Sequence, residues 1–77
     1  MSLDHDSPDP LYEQLAAVIR GQIERGELTG RVPSAKTLAQ RYEVAVGTAE
    51  RALAVLREAG LIRSAIGRGH FVVRHES

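Results

Sequence analysis

The feature that most constrains this sequence is a pair of helical apolar patterns separated by a very short turn. The second pattern predicts a helix over residues 47–59 from apolar residues at i, i+3, i+4 and i+7: Ala49, Ala52, Leu53 and Leu56. The first predicts a helix over residues 35–42, and residues 43–46 form the turn between them. Two helices joined by so short a turn have the geometry of a helix-turn-helix.

An earlier apolar stripe predicts another helix over residues 10–25. Asp9 suits the N-cap of this helix and Pro10 its first helical position. Ser34 is expected to cap the helix that follows, because its hydroxyl can accept a hydrogen bond from the backbone N–H three residues later. Residues 27–33 are expected to form a short linker between these two helices.

The periodicity changes after the third helix. Residues 61–66 and 70–74 are rich in Ile, Val and Phe, which favours two strands. The Gly-Arg-Gly segment at 67–69 predicts a tight hairpin turn between them, because glycine readily adopts positive φ. An isolated hairpin is marginally stable in water, so it must pack against the helices. The order of elements therefore predicts a winged helix-turn-helix, an α+β fold that is mainly α.

The charges balance in total but are unevenly distributed. The chain has ten Lys and Arg residues and ten Asp and Glu residues. Residues 1–13 hold four acids and no Lys or Arg, whereas residues 14–77 hold all ten basic residues. We therefore expect a flexible acidic leader (1–9), a winged-helix domain (10–74) and a short tail (75–77). On charge alone, the asymmetry is as typical of an ordinary solvated surface as of a binding site.

Several classes of protein are excluded by what the sequence lacks. Without cysteine there is neither a disulfide-stapled scaffold nor a thiolate zinc site. The three histidines, His5, His70 and His75, lack metal-site spacing, so we expect no metal and no cofactor. A chain of 77 residues has little room for a catalytic cleft, and we expect it not to be an enzyme.

The compartment is inferred from two further absences in the sequence. The longest apolar runs are five residues, whereas a membrane-spanning helix needs about twenty. No Lys or Arg precedes Arg20, so the N-terminus does not resemble a signal peptide. We therefore expect a cytoplasmic protein.

The outer face of the third helix is the first candidate binding surface. Six residues are expected to point outward: Gly47, Thr48, Glu50, Arg51, Ala54 and Arg57. The second helix of a helix-turn-helix enters the major groove of DNA, where its first residues meet base edges. Thr48 can bind phosphate, and Arg51 can bind phosphate or guanine. The same face is equally compatible with the solvated side of a three-helix core.

The tip of the hairpin is the second candidate. Arg68 lies between two glycines and suits insertion into a minor groove or along phosphates. The alternative is an ordinary turn that carries a charge. Tyr12 and Tyr42 fall on apolar helix faces, so we predict that they are core residues and not stacking platforms for bases.

A series of short motifs extends over most of the chain. In order they are Pro-Leu-Tyr-Glu-Gln-Leu (10–15), Gly-Glu-Leu (26–28), Val-Pro-Ser (32–34), Leu-Ala (38–39), Gly-Thr (47–48), Arg-Ala-Leu (51–53), Gly-Leu-Ile (60–62) and Gly-Arg-Gly-His-Phe-Val (67–72). This series resembles the N-terminal winged-helix domain of the GntR family of bacterial transcriptional regulators. The resemblance implies a DNA-binding domain that regulates transcription.

Some positions depart from the pattern of that family. Its recognition helix usually begins Ser-Arg-x-Thr-Val-Arg, and here residues 45–50 are Ala-Val-Gly-Thr-Ala-Glu. Ala45 replaces a serine N-cap, at a cost of about 1 kcal/mol. Val46 and Glu50 replace two base-reading arginines; valine can pack on a thymine methyl and glutamate can accept a hydrogen bond from cytosine N4. Lys36 replaces an arginine and keeps its charge without its bidentate geometry.

The resemblance implies double-stranded DNA as the partner. The implied DNA-binding residues are Ser34, Lys36, Val46, Gly47, Thr48, Glu50, Arg51, Arg68, Gly69 and His70. Family regulators also carry a C-terminal effector-binding and oligomerising domain, which we do not expect in a chain that stops at Ser77, unless it is a fragment of a larger regulator. A chain without that domain would act as a monomer, as a homodimer or with a partner protein. The alternative function, favoured by zero net charge and the two missing arginines, is a protein-interaction module with weakened DNA readout.

Overall fold

Helices and short strands follow one another in the computed structural model, which describes residues 3, 4, 6, 8–65, 67 and 69–73. The helices are α1 (Leu11–Glu24), α2 (Ala35–Tyr42) and α3 (Val46–Glu58). The strands are β1 (Arg31–Val32), β2 (Ile62–Ala65) and β3 (Gly69–Val72). The predicted winged helix-turn-helix is confirmed. Within the described part of the chain, no helix has the length and hydropathy needed to cross a membrane.

The start of α1 differs by one residue from the sequence prediction. Pro10 occupies the N-cap position with an extended ψ of 145°, so the prediction of Asp9 as N-cap is wrong. The Pro10 carbonyl accepts hydrogen bonds from the N–H groups of Glu13 and Gln14, each at 3.1 Å. An extended ψ excludes Pro10 from the helix proper, although its missing N–H would suit the first helical position.

The turn between α2 and α3 depends on a left-handed residue that is not glycine. Glu43 has φ 59° and ψ 46°, and the next residue, Val44, donates its N–H to the Ala39 carbonyl at 3.0 Å. Left-handed geometry costs an L-residue roughly 1–2 kcal/mol. Packing between α2 and α3 must therefore hold Glu43 in this conformation. The predicted turn is confirmed, but it covers residues 43–45 and not 43–46, because α3 already begins at Val46.

The linker predicted for residues 27–33 contains a strand that the sequence did not predict. β3 pairs with β2, as the hairpin predicts, and also with β1, so that the antiparallel order is β1-β3-β2. Val32 lies opposite His70, and the Val72 N–H donates to the Gly30 carbonyl at 2.7 Å. This pairing covers an edge of β3 that would otherwise present open backbone groups. Val32 is disposed to join it, because the proline that follows favours extended geometry.

The core lies between the helices and the sheet. Its buried residues are Leu3, Leu15, Ala16, Ile19, Val32, Leu38, Ala39, Tyr42, Ala49, Ala52, Leu53, Leu56 and Ile62. The core position predicted for Tyr42 is confirmed, and its hydroxyl accepts a hydrogen bond from Gln22 Nε2 at 3.4 Å. α3 packs against α1, α2 and β2, so its inner face fixes which of its residues face outward.

Part of the acidic leader contacts the helical domain. Leu3 is only 8 % exposed and belongs to the core. The Gln14 side chain holds the backbone nearby: its Oε1 accepts from the Asp4 N–H at 3.0 Å, and its Nε2 donates to the Asp4 and Asp9 carbonyls at 2.9 Å. These contacts were not predicted from the sequence, because one apolar residue among acids gives no periodic signal.

The N-caps of α2 and α3 allow a paired test of helix capping. Ser34 and Ala45 have nearly the same backbone, with φ and ψ of −67° and 160° and of −66° and 150°. Ser34 Oγ accepts from the Thr37 N–H at 3.2 Å, which confirms the predicted cap. Ala45 offers α3 no side-chain acceptor.

We expect Ser34→Ala to lower the free energy of unfolding by about 1 kcal/mol and Ala45→Ser to raise it by about the same amount. In a domain of this size each change shifts the melting temperature by roughly 4–8 °C. Urea and thermal unfolding followed by circular dichroism would measure both effects. Shifts of the same sign in the two variants would contradict the capping argument.

Candidate nucleic-acid interface

The outer face of α3 is exposed, as its apolar pattern predicts. Gly47, Glu50, Arg51 and Arg57 are exposed, and Thr48 is half-buried. Val46, at the first position of the helix, is 46 % exposed, a high value for a large apolar side chain. The first two turns of α3 therefore present a surface that the fold itself does not cover.

A groove lies between α3, the start of α2 and the strands β1 and β3, and we call it the wing groove. Its volume is about 850 Å³. Six polar or charged residues line it: Arg31, Ser34, Thr37, Glu50, Arg57 and His70. The β1–β3 pairing puts Val32 opposite His70, and Ser34, the N-cap of α2, follows two residues after Val32. The groove therefore depends on the unpredicted strand β1.

The wing groove presents cations and hydrogen-bond donors. The Arg31 guanidinium lies beside the wing, since a Cβ at Gly69 would be 3.8 Å from Arg31 Nη2. Arg57 Nη1 donates to Ser64 Oγ at 3.4 Å. The ion pairs among the described residues, Arg20–Glu24 and Arg25–Glu27, involve neither groove arginine. Both guanidinium groups are therefore available to an anion.

The start of α2 adds a partial positive charge to this groove. Ser34 and Thr37 both line it, and Ser34 Oγ donates to Thr37 Oγ1 at 3.0 Å. The first backbone N–H groups of a helix, together with its macrodipole, favour an anion at this end. Glu50 is the acid among the lining residues, and it forms no ion pair within the described part of the chain.

The structure separates the predicted DNA-binding residues into groups. Those that line the wing groove are Ser34, Glu50, Gly69 and His70. Those that lie outside its lining are Lys36, Val46, Gly47, Thr48 and Arg51. The prediction for Arg68 falls on a position outside the described residues. Contact of any of these residues with DNA stays a prediction.

Arg51 lies on the other flank of α3 from the wing groove. Its Cζ is 4.4 Å from the centre of the Tyr12 ring, so the guanidinium stacks on a residue of α1. Tyr12 is half-buried and packs against the core, as the sequence predicts, and it also carries this cation–π contact. Sequence reasoning missed Tyr12 and Arg31 as site residues. For Arg31 the usable signal was the Arg-Val-Pro run, where the proline favours an extended segment able to pair with the wing.

An exposed ion pair away from this surface shifts the pKa values of its two members. Arg25 Nε donates to Glu27 Oε2 at 2.6 Å. This hydrogen bond and the attraction between the charges lower the pKa of Glu27 and raise the pKa of Arg25. Both side chains are exposed and neither lines the wing groove, so this pair does not affect the candidate site.

An exposed second helix in a helix-turn-helix, flanked by a hairpin and an arginine-lined groove, defines a class of protein. The chain is a winged-helix domain of the kind that transcriptional regulators use to bind DNA. The family model described as "Bacterial regulatory proteins, gntR family" matches residues 11–72. The chain therefore belongs to the GntR family, as the order of its sequence motifs predicts.

Curated relatives and solved structures agree with this assignment. The HTH-type transcriptional repressor STM4068 of Salmonella typhimurium is 36% identical over 74 residues, which are 94% of this chain and 31% of that protein. The AraR DNA-binding domain in complex with operator ORX1 superposes with a TM-score of 0.85 at 28% identity, over 95% of both chains. YtrA from Sulfolobus acidocaldarius, a GntR-family transcription factor, gives 0.86 at 31% identity over 95% of this chain and 79% of that chain. The chain spans between 16% and 31% of the length of the curated relatives it matches.

A substitution at Gly47 tests whether packing within the domain requires glycine at the exposed start of α3. A Cβ added there would meet nothing within 4 Å, so packing does not require glycine. We expect Gly47→Ala to raise the free energy of unfolding by up to about 1 kcal/mol, because glycine is a poor helix former. Urea unfolding would measure the gain. A loss of stability would show that the fold itself needs this glycine.

Proposed function

We propose that this domain binds double-stranded operator DNA with α3 in the major groove and a sugar-phosphate strand in the wing groove. The observation that carries the proposal is the wing groove, which places two arginines beside the exposed flank of α3, neither of them in an ion pair with another residue that the structure describes. An α-helix with its side chains is about 10–12 Å wide and the major groove is about 12 Å wide. A helix seated there meets the phosphates that border the groove.

The first turns of α3 would face the base edges. Val46 and Glu50 are exposed, and Gly47 lets a duplex approach the helix backbone. Lys36, on the first turn of α2, and Thr48 would add phosphate contacts beside these residues, and Arg68, between Gly67 and Gly69 in the sequence, would add another. The Val46 side chain offers an apolar contact to a thymine methyl, and the Glu50 carboxylate can accept a hydrogen bond from cytosine N4.

The wing groove would receive the phosphates of one strand. Arg31 and Arg57 supply charge, and the Ser34 end of α2 supplies backbone donors. His70 lines the same groove from β3 and can donate a hydrogen bond. The AraR domain that superposes on this chain was solved with operator DNA, which supports the same class of ligand here.

The biological role follows from the class of ligand. We infer that the domain regulates transcription without catalysing a reaction, and that it acts in the cytoplasm, where bacterial DNA lies. The relative STM4068, which matches 94% of this chain, is a transcriptional repressor, and this supports a regulatory role.

Salt dependence tests the wing groove. A selection from random duplexes with the purified chain supplies the ligand, and fluorescence anisotropy over a series of salt concentrations gives the slope of log K against log salt. We expect Arg31→Ala to make this slope less negative by about 0.9, the value for one lost phosphate contact. Arg57→Ala should act in the same direction.

Arg20→Ala is the matched control. Arg20 is exposed on α1, pairs with Glu24 at 3.5 Å and does not line the groove, so it removes the same charge elsewhere. Equal slopes for Arg20→Ala and Arg31→Ala would contradict a phosphate site in the groove. Failure to enrich any duplex would contradict DNA binding and favour the protein-interaction alternative.

Base preference tests the two positions where the family's arginines are missing. We expect Glu50→Gln to raise affinity for duplexes without cytosine at the contacted position, because it removes a repelling charge, and to weaken the preference for cytosine there. Val46→Ala should weaken the preference for thymine at one other position, without a general change. Repeating the duplex selection with each variant measures both effects. A correctly placed base contact contributes about 1–3 kcal/mol, so each preference should change by at least several-fold. Identical selected sequences for all three proteins would contradict base reading by these residues.

A further inference from the structure

Arg51 is exposed yet held in place by an aromatic ring. Its guanidinium carbon is 4.4 Å from the centre of the Tyr12 ring. Arg51 is on α3 and Tyr12 is on the first turn of α1, so the contact joins the two helices. Tyr12 packs partly against the core, and its hydroxyl hydrogen-bonds to Glu13 Oε1 at 3.4 Å. The ring is thus supported by the core on one side, and the arginine above it is the exposed partner.

The position of Arg51 on α3 is distinct from that of the wing-groove residues. Successive residues of an α-helix are about 100° apart around its axis. Arg51 therefore lies about 100° from Glu50 and about 120° from Arg57, both of which line the wing groove. The outermost part of α3, at Gly47, lies between these flanks. The helix thus carries arginines on two sides, one in the wing groove and one on the Tyr12 ring.

The shape of a duplex gives these two flanks separate partners. The major groove is bordered by two sugar-phosphate strands, and a helix of nearly the same width approaches both. The wing groove accounts for one strand. The second strand needs a cation on the opposite flank of α3, and Arg51 is the arginine that the described structure places there.

The stacking contact matters because arginine has a long, flexible side chain. A free arginine loses rotamer freedom when it binds a phosphate. One already held flat on an aromatic face has lost part of that freedom before DNA arrives, and its N–H groups at the ring edge remain open to a phosphate. Preorganisation of this kind raises affinity without a new contact.

We propose that Tyr12 is a positioning residue, which orients Arg51 toward a phosphate on the DNA strand opposite the one in the wing groove. This inference rests on the proposed function. It adds to it a second phosphate site and a role for a residue of α1 that does not itself read DNA.

A double-mutant cycle tests the coupling between the two residues. The variants are Arg51→Ala, Tyr12→Leu, Tyr12→Phe and the pair Tyr12→Leu with Arg51→Ala, and each is titrated with the selected duplex. We expect Arg51→Ala to weaken binding about tenfold and to make the salt slope less negative by about 0.9. Tyr12→Leu should weaken binding about threefold in the natural sequence and have no effect once Arg51 is alanine. Tyr12→Phe keeps the ring and should stay within twofold of the natural protein.

Two further measurements separate positioning from a general effect on folding. The Arg51 Nε–H resonance should be shifted upfield by the ring in the natural protein and in Tyr12→Phe, and the shift should be lost in Tyr12→Leu. Duplexes with single methylphosphonates identify the contacted strand. Arg51→Ala should abolish the effect of neutralising a phosphate on one strand, and Arg31→Ala should do so on the other. If Tyr12→Leu unfolds, Arg51→Lys replaces it, because lysine keeps the charge and loses the planar stack.

The outcomes distinguish this inference from the proposed function. Normal affinity for Tyr12→Leu or Arg51→Ala, or an equal effect of Tyr12→Leu with and without Arg51, would overturn the inference while DNA binding stands. The same holds if Arg31 and Arg51 map to phosphates of one strand. If the natural protein binds no duplex, the proposed function fails and the inference fails with it.

Discussion

The pairing of β1 with β3 is the interaction on which the candidate site depends. Without it, residues 31–33 would be a free connection between α1 and α2, and nothing would fix the start of α2 relative to the wing. With it, buried Val32 anchors the strand, Arg31 lies beside Gly69, and Ser34 begins α2 at the edge of the same groove. Two paired residues thus determine the geometry of a surface built from three separate parts of the chain. Because β3 is paired on both edges, the wing is also held more firmly than an isolated hairpin would be.

Local charge, and not net charge, explains how a neutral chain presents a surface suited to DNA. Residues 1–13 hold four of the ten acids and no Lys or Arg, and the wing groove holds two arginines against one glutamate. Screening by salt limits the range of interactions between exposed charges to about 8–10 Å near physiological ionic strength. A phosphate in the groove would therefore interact mainly with the groups that line it. Net neutrality still has a consequence: the chain attracts DNA weakly from a distance, so binding must rely on short-range contacts more than in a strongly basic domain.

The sequence predicted the helices, the hairpin and the capping role of Ser34 because each depends on local patterns. It did not predict the left-handed Glu43, since propensity favours glycine there and packing between α2 and α3 decides otherwise. It missed β1, because two residues are too few to show an alternating pattern and a strand exists only through its partner. The contact of Arg51 with Tyr12 joins residues far apart in the chain, so no local pattern could show that this exposed arginine has a fixed orientation.

The first turn of α3 has little local stabilisation, and it lies on the surface proposed to bind DNA. Ala45 provides no side-chain cap, glycine occupies the second position, and exposed Val46 gains little from packing. The helix forms because its inner face, including the fully buried Ala49 and Ala52, packs between α1 and α2. An uncapped helix start leaves backbone N–H groups without a side-chain acceptor. In the proposed complex a phosphate or a base acceptor would occupy that position, and the stability given up in the free domain would be recovered through the hydrogen bond it accepts.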